Sequence, residues 1–382
     1  MTKVAHIITR LDFGGAQANT LYTAANLDRS RFDAVIITGN FGTLAHRADG
    51  YGKIVFAEKL VREISPLKDL AAFFELRRIL KREAPQVVHT HSSKAGILGR
   101  LAAYSAGVPA VVHTFHGFGF HPRQGFLKRT FFILLEKFCA LFSDALVFVS
   151  RSNMETARAA GIGDPAKYRL IRSGVKLAGY PAKTDRALKR AALGLDDSAT
   201  VVLSIGNTKP QKNPGHFIEA AARLSGTRPG ARFVFVGGGK ELENLRAEAR
   251  ARGLEKTCLF PGWREDCAEL LAASDIFALT SLWEGLPRAL VEALRTGLPA
   301  VCYATDGVTD ILDDGVNGFP VPQGELGQLC SALARLLDDP QLRARLAAGA
   351  AATDLAEFDI DHMVRQQEEL YCGLLSAKGY KG

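Results

Sequence analysis

The residues best suited to chemistry stand in one stretch, Ser281-Leu282-Trp283-Glu284-Gly285-Leu286-Pro287-Arg288-Ala289-Leu290-Val291-Glu292-Ala293. Glycine and proline mark a loop after the apolar run Ile276 to Leu279. Pro287, followed by Ala289, Leu290, Ala293 and Leu294 at helical spacing, predicts a helix that stops at Gly297. One carboxylate, Glu284, thus falls in the loop, and a second, Glu292, inside the helix. Free N–H groups at a helix start attract phosphate or sugar oxygens, and carboxylates accept hydrogen bonds from hydroxyls. The pair suits a ligand that carries both hydroxyls and phosphate. Gly206-Asn207-Thr208-Lys209-Pro210-Gln211-Lys212-Asn213 follows the strand-like Val201 to Ile205, and its two lysines can offset charge on a diphosphate.

Weaker signals lie at other strand ends. Leu11-Asp12-Phe13-Gly14-Gly15-Ala16-Gln17 opens a helix, and its paired glycines let the backbone approach an anionic ligand, although an ordinary tight turn has the same composition. Histidines crowd His89-Thr90-His91-Ser92-Ser93-Lys94 and His113-Thr114-Phe115-His116-Gly117, with His121 just beyond. No carboxylate or thiolate accompanies them, so hydrogen bonding is expected there and no metal site. Phe233-Val234-Phe235-Val236-Gly237-Gly238-Gly239 tempts a dinucleotide assignment, but Leu242 occupies the position of the last fingerprint glycine. Trp263, in Gly262-Trp263-Arg264, is suited either to stacking on a base or to packing at a rim. Asp359-Ile360-Asp361 lies far from any strand-end loop, which disfavours a metal-bound diphosphate.

These stretches need a scaffold that brings strand ends together. Strand-like runs alternate with helical patterns at Val4–Ile8, Ala34–Thr38, Val87–Thr90, Ala110–Thr114 and Ala145–Ser150. The pattern repeats at Val201–Ile205, Phe233–Val236, Leu259–Phe260, Ile276–Leu279 and Ala300–Tyr303. Such alternation predicts parallel sheets covered on both faces, and its repetition predicts two of them, with ligands beyond the strand C-terminal ends. A chain of 382 residues with 47% hydrophobic content supports two cores, with the boundary near residue 178.

The six cysteines are scattered without a CxxC pair, the N-terminus lacks a signal-peptide pattern, and no run suits a membrane span, so a cytoplasmic protein without disulfides is expected. The first 176 residues carry 25 Lys+Arg against 13 Asp+Glu, about +12, and the remainder 23 against 27, about −4. A one-sided basic field suits an anionic partner. From His121 to Phe138 basic residues interleave with large aromatics, as in a helix resting on anionic lipid; a core helix with basic ends has a similar composition. No motif supports nucleic-acid binding.

The stretch from Glu284 to Glu292 closely resembles the signature of glycosyltransferase family 4, and Val87 to His121 resembles the acceptor-side half of its members from polysaccharide assembly. The resemblance implies an α/β protein of the GT-B type, two doubly wound Rossmann-like domains facing across a cleft. These are an acceptor-side domain over 1–178 and a nucleotide-sugar donor domain over 179–382, with a terminal helix at about 358–375 returning to the first. It further implies a retaining, metal-independent glycosyltransferase without a cofactor. Such an enzyme moves a hexose or N-acetylhexosamine from a nucleoside-diphosphate sugar, a UDP-sugar by family habit, to a lipid-linked or saccharide acceptor in surface polysaccharide biosynthesis.

Roles follow by the same resemblance. His116, Glu284 and Lys212 are catalytic: Glu284 contacts donor-sugar hydroxyls, Lys212 the phosphate, and His116 a sugar hydroxyl while helping position the acceptor. Glu292 contacts the ribose, Trp263 and Arg264 lie by the base, and Gly14, Gly15, Lys209, Gly237, Gly239, Gly285, Leu286 and Pro287 complete the donor site. His89, His91, Ser92, Lys94 and His121 belong to the acceptor side. One departure stands out: the family usually has Arg after the phosphate-loop glycine, where this chain has Asn207. A fixed bidentate cation is missing there, so either Lys209 substitutes or donor binding differs. Two alternatives are an epimerase on the same fold, which would turn over donor without acceptor, and a non-catalytic nucleotide-sugar binder.

Overall fold

The computed structural model describes all residues except Phe13, Phe41, 43–51, Pro122 and 381–382. Phe13 of the first glycine loop and Pro122 of the basic, aromatic stretch therefore lie outside the description. The chain forms two compact units, Met1–Gly174 with Glu357–Gly382, and Val175–Ala356.

In the first unit, β1 (Thr2–Ile8), β2 (Phe32–Thr38), β3 (Lys53–Phe56), β4 (Val87–His91), β5 (Ala110–Phe115), β6 (Ala145–Phe148) and β7 (Tyr168–Leu170) form a parallel sheet in the order β3-β2-β1-β4-β5-β6-β7. Helices α1 (Gly15–Asn26), α2 (Pro66–Glu83), α3 (Ser93–Ala106), α4 (Phe126–Ala140) and α5 (Arg151–Ala160) connect the strands. Alternate residues of one strand feed opposite layers. Val4 and Ile8 pack with Leu21 and Ala24 of α1, whereas Ala5 and Ile7 pack with Ala72 and Leu76 of α2 and Ala95 of α3. Burial on both faces is why these strands read as unbroken Val/Ile runs.

The second unit holds α6 (Arg186–Ala191), α7 (Pro214–Ser225), α8 (Leu242–Ala251), α9 (Cys267–Ala272), α10 (Arg288–Arg295), α11 (Leu326–Asp338) and α12 (Pro340–Ala352). Its strands β8 (Thr200–Ile205), β9 (Ala231–Val236), β10 (Cys258–Gly262), β11 (Ile276–Leu279), β12 (Ala300–Tyr303) and β13 (Gly318–Val321) lie in the order β10-β9-β8-β11-β12-β13. All ten strands expected from sequence are present, with ends shifted by a few residues. The strands β3, β7 and β13 were not foreseen. Each is an edge strand of three or four residues, and β13 contains Pro320, which an edge tolerates because no ladder bond is needed on its open side.

The terminal helix α13 (Ile360–Ala377) packs Ile360, Met363, Val364, Tyr371 and Leu375 into the α1 layer of the first unit. Arg172, after β7, anchors the approach to it by donating to Glu357 at 3.0 Å, with its guanidinium 5.1 Å above the Phe358 ring. Gly174 must be glycine, since a Cβ there would lie 2.6 Å from the Ile360 Cα. Asp359 of the D-x-D pattern caps α13, accepting from the N–H groups of Asp361 and His362, and Asp361 accepts from the Tyr22 hydroxyl at 2.6 Å. These acids are spent on structure.

Between α3 and α4, fully buried Arg100 donates to Glu136 at 2.6 Å. Removing one partner of such a pair leaves an uncompensated buried charge. Glu136→Ala is expected to lower stability in urea denaturation by about 3–5 kcal/mol, whereas Arg100→Leu with Glu136→Leu costs far less.

Candidate active site

Each sheet reverses its strand order beside its first strand, between β1 and β4 in one unit and between β8 and β11 in the other. Loops leaving two such strands turn opposite ways and leave a crevice beyond their C-terminal ends. Lys212 and Glu284 fall at the second of these places, and Gly14, Gly15, His91 and Ser92 at the first; others lie at neighbouring strand ends.

In the second unit the loop after β8 brings Lys212, and the loop after β11 brings Glu284, into a direct ion pair. Both side chains are largely buried. The two loops are stitched together around the pair. Leu282 N–H donates to the Gln211 carbonyl at 2.8 Å, the Gln211 amide donates to the Trp283 carbonyl at 2.8 Å, and the Thr280 hydroxyl donates to the Lys212 carbonyl at 2.9 Å. An ammonium has three donors and a carboxylate about four acceptor sites, so one mutual bond leaves both able to engage a ligand. Pro287 caps α10 in extended conformation, Leu286 is buried, and the Gly285 carbonyl accepts from Gly307 N–H at 3.2 Å.

Glu292, one turn into α10, is half-buried. Burial raises its pKa, opposed by the nearby Arg288 and by a hydrogen bond with Tyr180, whose own pKa burial pushes up. At the end of β9, Gly237 and Gly239 have φ of 142° and 150°, and a Cβ on Gly237 would lie 1.7 Å from the Gly206 carbonyl oxygen. Only glycine fits there. Trp263 is 49% exposed, and its ring lies against Gly238, where a Cβ would come within 2.8 Å. Arg264 is held by Asp266 through two bonds of 2.8 Å, which also keep its pKa up. Asn207 accepts from Lys209 N–H at 3.2 Å, so it serves as a turn former, and the Lys209 side chain is exposed.

Sequence reasoning missed Asp306. It accepts from Glu284 N–H at 2.7 Å through Oδ2 and adopts φ 40°, rare for a residue with a side chain. The Asp306-Gly307 pair directly after β12 was the available signal, as a turn at a strand end. Gln323, which donates to the Leu282 carbonyl, had none.

In the first unit Gly14 and Gly15 open α1 after β1 as expected. Ser92 sits at φ 64° before α3 and bonds Thr9 across the switch point, hydroxyl to hydroxyl, at 2.8 Å. His89 and His91 on β4 and His116 after β5 form a cluster with His6 of β1. The ring contacts are His6 Nδ1 to His91 Nε2 at 3.1 Å and His91 Nδ1 to His116 Nε2 at 3.1 Å. His89 lies 2.6 Å from the Tyr371 hydroxyl and 2.6 Å from the Thr114 hydroxyl. Ligand atoms of His6, His89 and His91 come within 4.8 Å of one another, but these rings spend nitrogens on hydrogen bonds and no anion of the cluster would balance a buried dication. Lys94 is not gathered into this cluster: it pairs with Asp69 at 2.5 Å and donates to the Glu63 carbonyl. His121 stands apart beside Gln124, its pKa lowered by burial and by Lys128 and Arg123.

Burial lowers the pKa of His6 and His116 to about 4, and those of His89, His91 and His113 well below 6.5. Above about pH 7 these rings are neutral folded or unfolded and stability does not depend on them. As pH falls below about 6.5 the unfolded chain takes up protons that the folded chain refuses, so stability is lost down through pH 4. Glu292 acts in the opposite sense but is one group against five. Chemical denaturation between pH 7.5 and 4 should show this decline, with His6 and His116 each forfeiting on the order of 3 kcal/mol by pH 4.

Comparison with known proteins shows the family. The family described as "Glycosyl transferase 4-like domain" matches residues 14–174, and "Glycosyl transferases group 1" matches residues 185–353. The chain is 36% identical to the Escherichia coli UDP-Gal:alpha-D-GlcNAc-diphosphoundecaprenol alpha-1,3-galactosyltransferase over 89% of both chains. It is 29% identical to the Campylobacter jejuni N,N'-diacetylbacillosaminyl-diphospho-undecaprenol alpha-1,3-N-acetylgalactosaminyltransferase over 84% of this chain and 85% of that one. Among solved structures, Anabaena HepE in complex with UDP-glucose superposes with a TM-score of 0.83 at 23% identity, covering 98% of this chain and all of that one. The chain is a glycosyltransferase of the GT-B fold and belongs to glycosyltransferase family 4.

Proposed function

We propose that the chain transfers a hexose or N-acetylhexosamine, with retained anomeric configuration, from a UDP-sugar to a polyprenyl-diphosphate-linked saccharide during surface polysaccharide assembly. The observation that carries the reading is the Lys212–Glu284 pair at the switch point of the second sheet. In this reading the Lys212 ammonium and loop N–H groups stabilise the leaving diphosphate, while Glu284 orients donor-sugar hydroxyls. Glu292 takes the ribose hydroxyls, and the glycines at 237 and 239 let the nucleotide approach the backbone. His116 faces the sugar, and the Gly14–Gly15 loop serves the acceptor side. No step needs a metal, since Lys212 supplies the cation. The names of the Escherichia coli and Campylobacter jejuni relatives support a lipid-diphosphate acceptor, and that of the former a UDP-sugar.

The acceptor's lipid implies a membrane surface, and the first unit presents one suited to it. On α4, Phe126, Leu127, Phe131, Leu134 and Phe138 are exposed, alternating with exposed Lys128, Arg129 and Lys137. A core helix would bury those apolar side chains. Leu67, Leu70 and Phe74 are likewise exposed on α2. Apolar insertion and attraction to anionic headgroups then act together.

Incubation of purified protein with labelled UDP-hexoses and a polyprenyl-diphosphate-linked N-acetylhexosamine should give acceptor-dependent transfer, reduced about 100-fold or more in kcat/KM by Glu284→Ala or Lys212→Ala. Donor turnover at full rate without acceptor would instead establish the epimerase reading. The protein should sediment with anionic vesicles, less so at high salt and in Leu127→Glu/Phe131→Glu; equal recovery with neutral vesicles would remove the membrane surface.

A further inference from the structure

Among the buried groups, the histidine chain in the first unit has a direction built into it. His6 is fully buried on β1, and its Nε2 has no hydrogen-bond partner. A buried N–H without an acceptor costs more than a buried lone pair of an imidazole, so the proton of His6 belongs on Nδ1. Nδ1 lies 3.1 Å from His91 Nε2, which must then accept. A neutral imidazole that accepts on one nitrogen donates from the other. His91 therefore donates from Nδ1 to His116 Nε2 at 3.1 Å, leaving the His116 proton on Nδ1. The neighbouring His89 is fixed separately: the Tyr371 hydroxyl donates to Gln367 at 3.2 Å and so accepts from His89 Nδ1.

The chain must also stay neutral. A proton added to His91 would remove its acceptor and oppose the Nδ1–H of His6 at 3.1 Å. His91 also lies buried between His6 and His89, at centroid distances of 5.4 and 4.3 Å, away from the water that would stabilise a charge.

We propose that His6 and His91 are positioning residues: their one-way hydrogen-bond chain holds His116 neutral with its proton on Nδ1, so that His116 meets the substrate as a hydrogen-bond donor and not as a base. This rests on the reading of His116 as a sugar-facing residue. A donor at that place suits an oxygen lone pair of the transferred sugar, and the ring takes no proton from the acceptor hydroxyl. The phosphate leaving group would receive that proton, its bond to the anomeric carbon breaking as the acceptor oxygen bonds.

Nitrogen-15 NMR of the full chain labelled on histidine, with His116 assigned through His116→Gln, tests the tautomer directly at pH 7. His116 should show a protonated Nδ1 and an unprotonated Nε2, the reverse of the form free histidine favours; a protonated Nε2 overturns the proposal. His6→Phe removes the first donor and should let His116 mix tautomers, with kcat for transfer down about tenfold and KM for the sugar nucleotide within about twofold. His6→Asn, whose amide nitrogen can take the place of Nδ1, should restore both; an unaltered kcat in His6→Phe, or no rescue by Asn, overturns the positioning role. If His6→Phe does not fold, the wild-type tautomer and His6→Asn still decide. Unchanged transfer by His116→Ala, with the tautomer as described, shows that the sugar-facing reading failed while the lock is real, and ends the proposal as a statement about catalysis.

Discussion

Right-handed crossovers in a parallel sheet govern where this protein can do chemistry. A chain that starts at a central strand, winds to one edge and returns to wind toward the other must leave two adjacent strands whose connections diverge. In the second sheet those strands are β8 and β11, and the side chains delivered beyond their ends are Lys212 and Glu284. In the first they are β1 and β4; Thr9 and Ser92 are the residues delivered there, and His6, His89 and His91 stand on the two strands below. Polar groups are tolerated in these buried positions because most are paired within the site, by an ion pair in one unit and by hydrogen-bonded rings in the other, with His6 Nε2 left as a bare lone pair.

Central strands were legible because burial on both faces demands apolar runs, and the loops after them because glycine, proline and lysine have few reasons to gather at a strand end. Edge strands were not, since Lys53-Ile54-Val55-Phe56 and Gly318-Phe319-Pro320-Val321 carry no pattern that outweighs a loop. The site was legible as a set of residues and illegible as a set of bonds. Nothing local says that Lys212 and Glu284, 72 positions apart, touch. Nor does Asp306 announce that it holds the Glu284 amide. Lys94 shows the converse: its neighbours in sequence suggest a ligand site, yet Asp69, distant in sequence, claims its charge. His6, read as one residue of a strand, owes its part in the histidine chain wholly to the β1–β4 pairing that sets it opposite His89.

Charge is divided to match. The basic excess lies in the first 176 residues, where α4 carries Lys128, Arg129 and Lys137 among exposed aromatics. The small acidic excess lies in the remainder, where many acids are held in ion pairs such as Arg190–Asp275 and Arg228–Asp338. A basic, apolar-studded surface is suited to an anionic lipid layer. Asn207 is spent on the turn before Lys209, and Glu284 fixes the Lys212 ammonium.

The central claim is that Lys212, held by Glu284, binds the diphosphate of a nucleotide sugar. Titration calorimetry with UDP, in the presence of a chelator, tests it most directly when the wild type is compared with Lys212→Ala. The wild type should bind UDP, more tightly as the matching UDP-sugar, and the variant should lose about tenfold or more in affinity. Equal affinity in the two proteins, or binding that appears only when a divalent cation is restored, would contradict it.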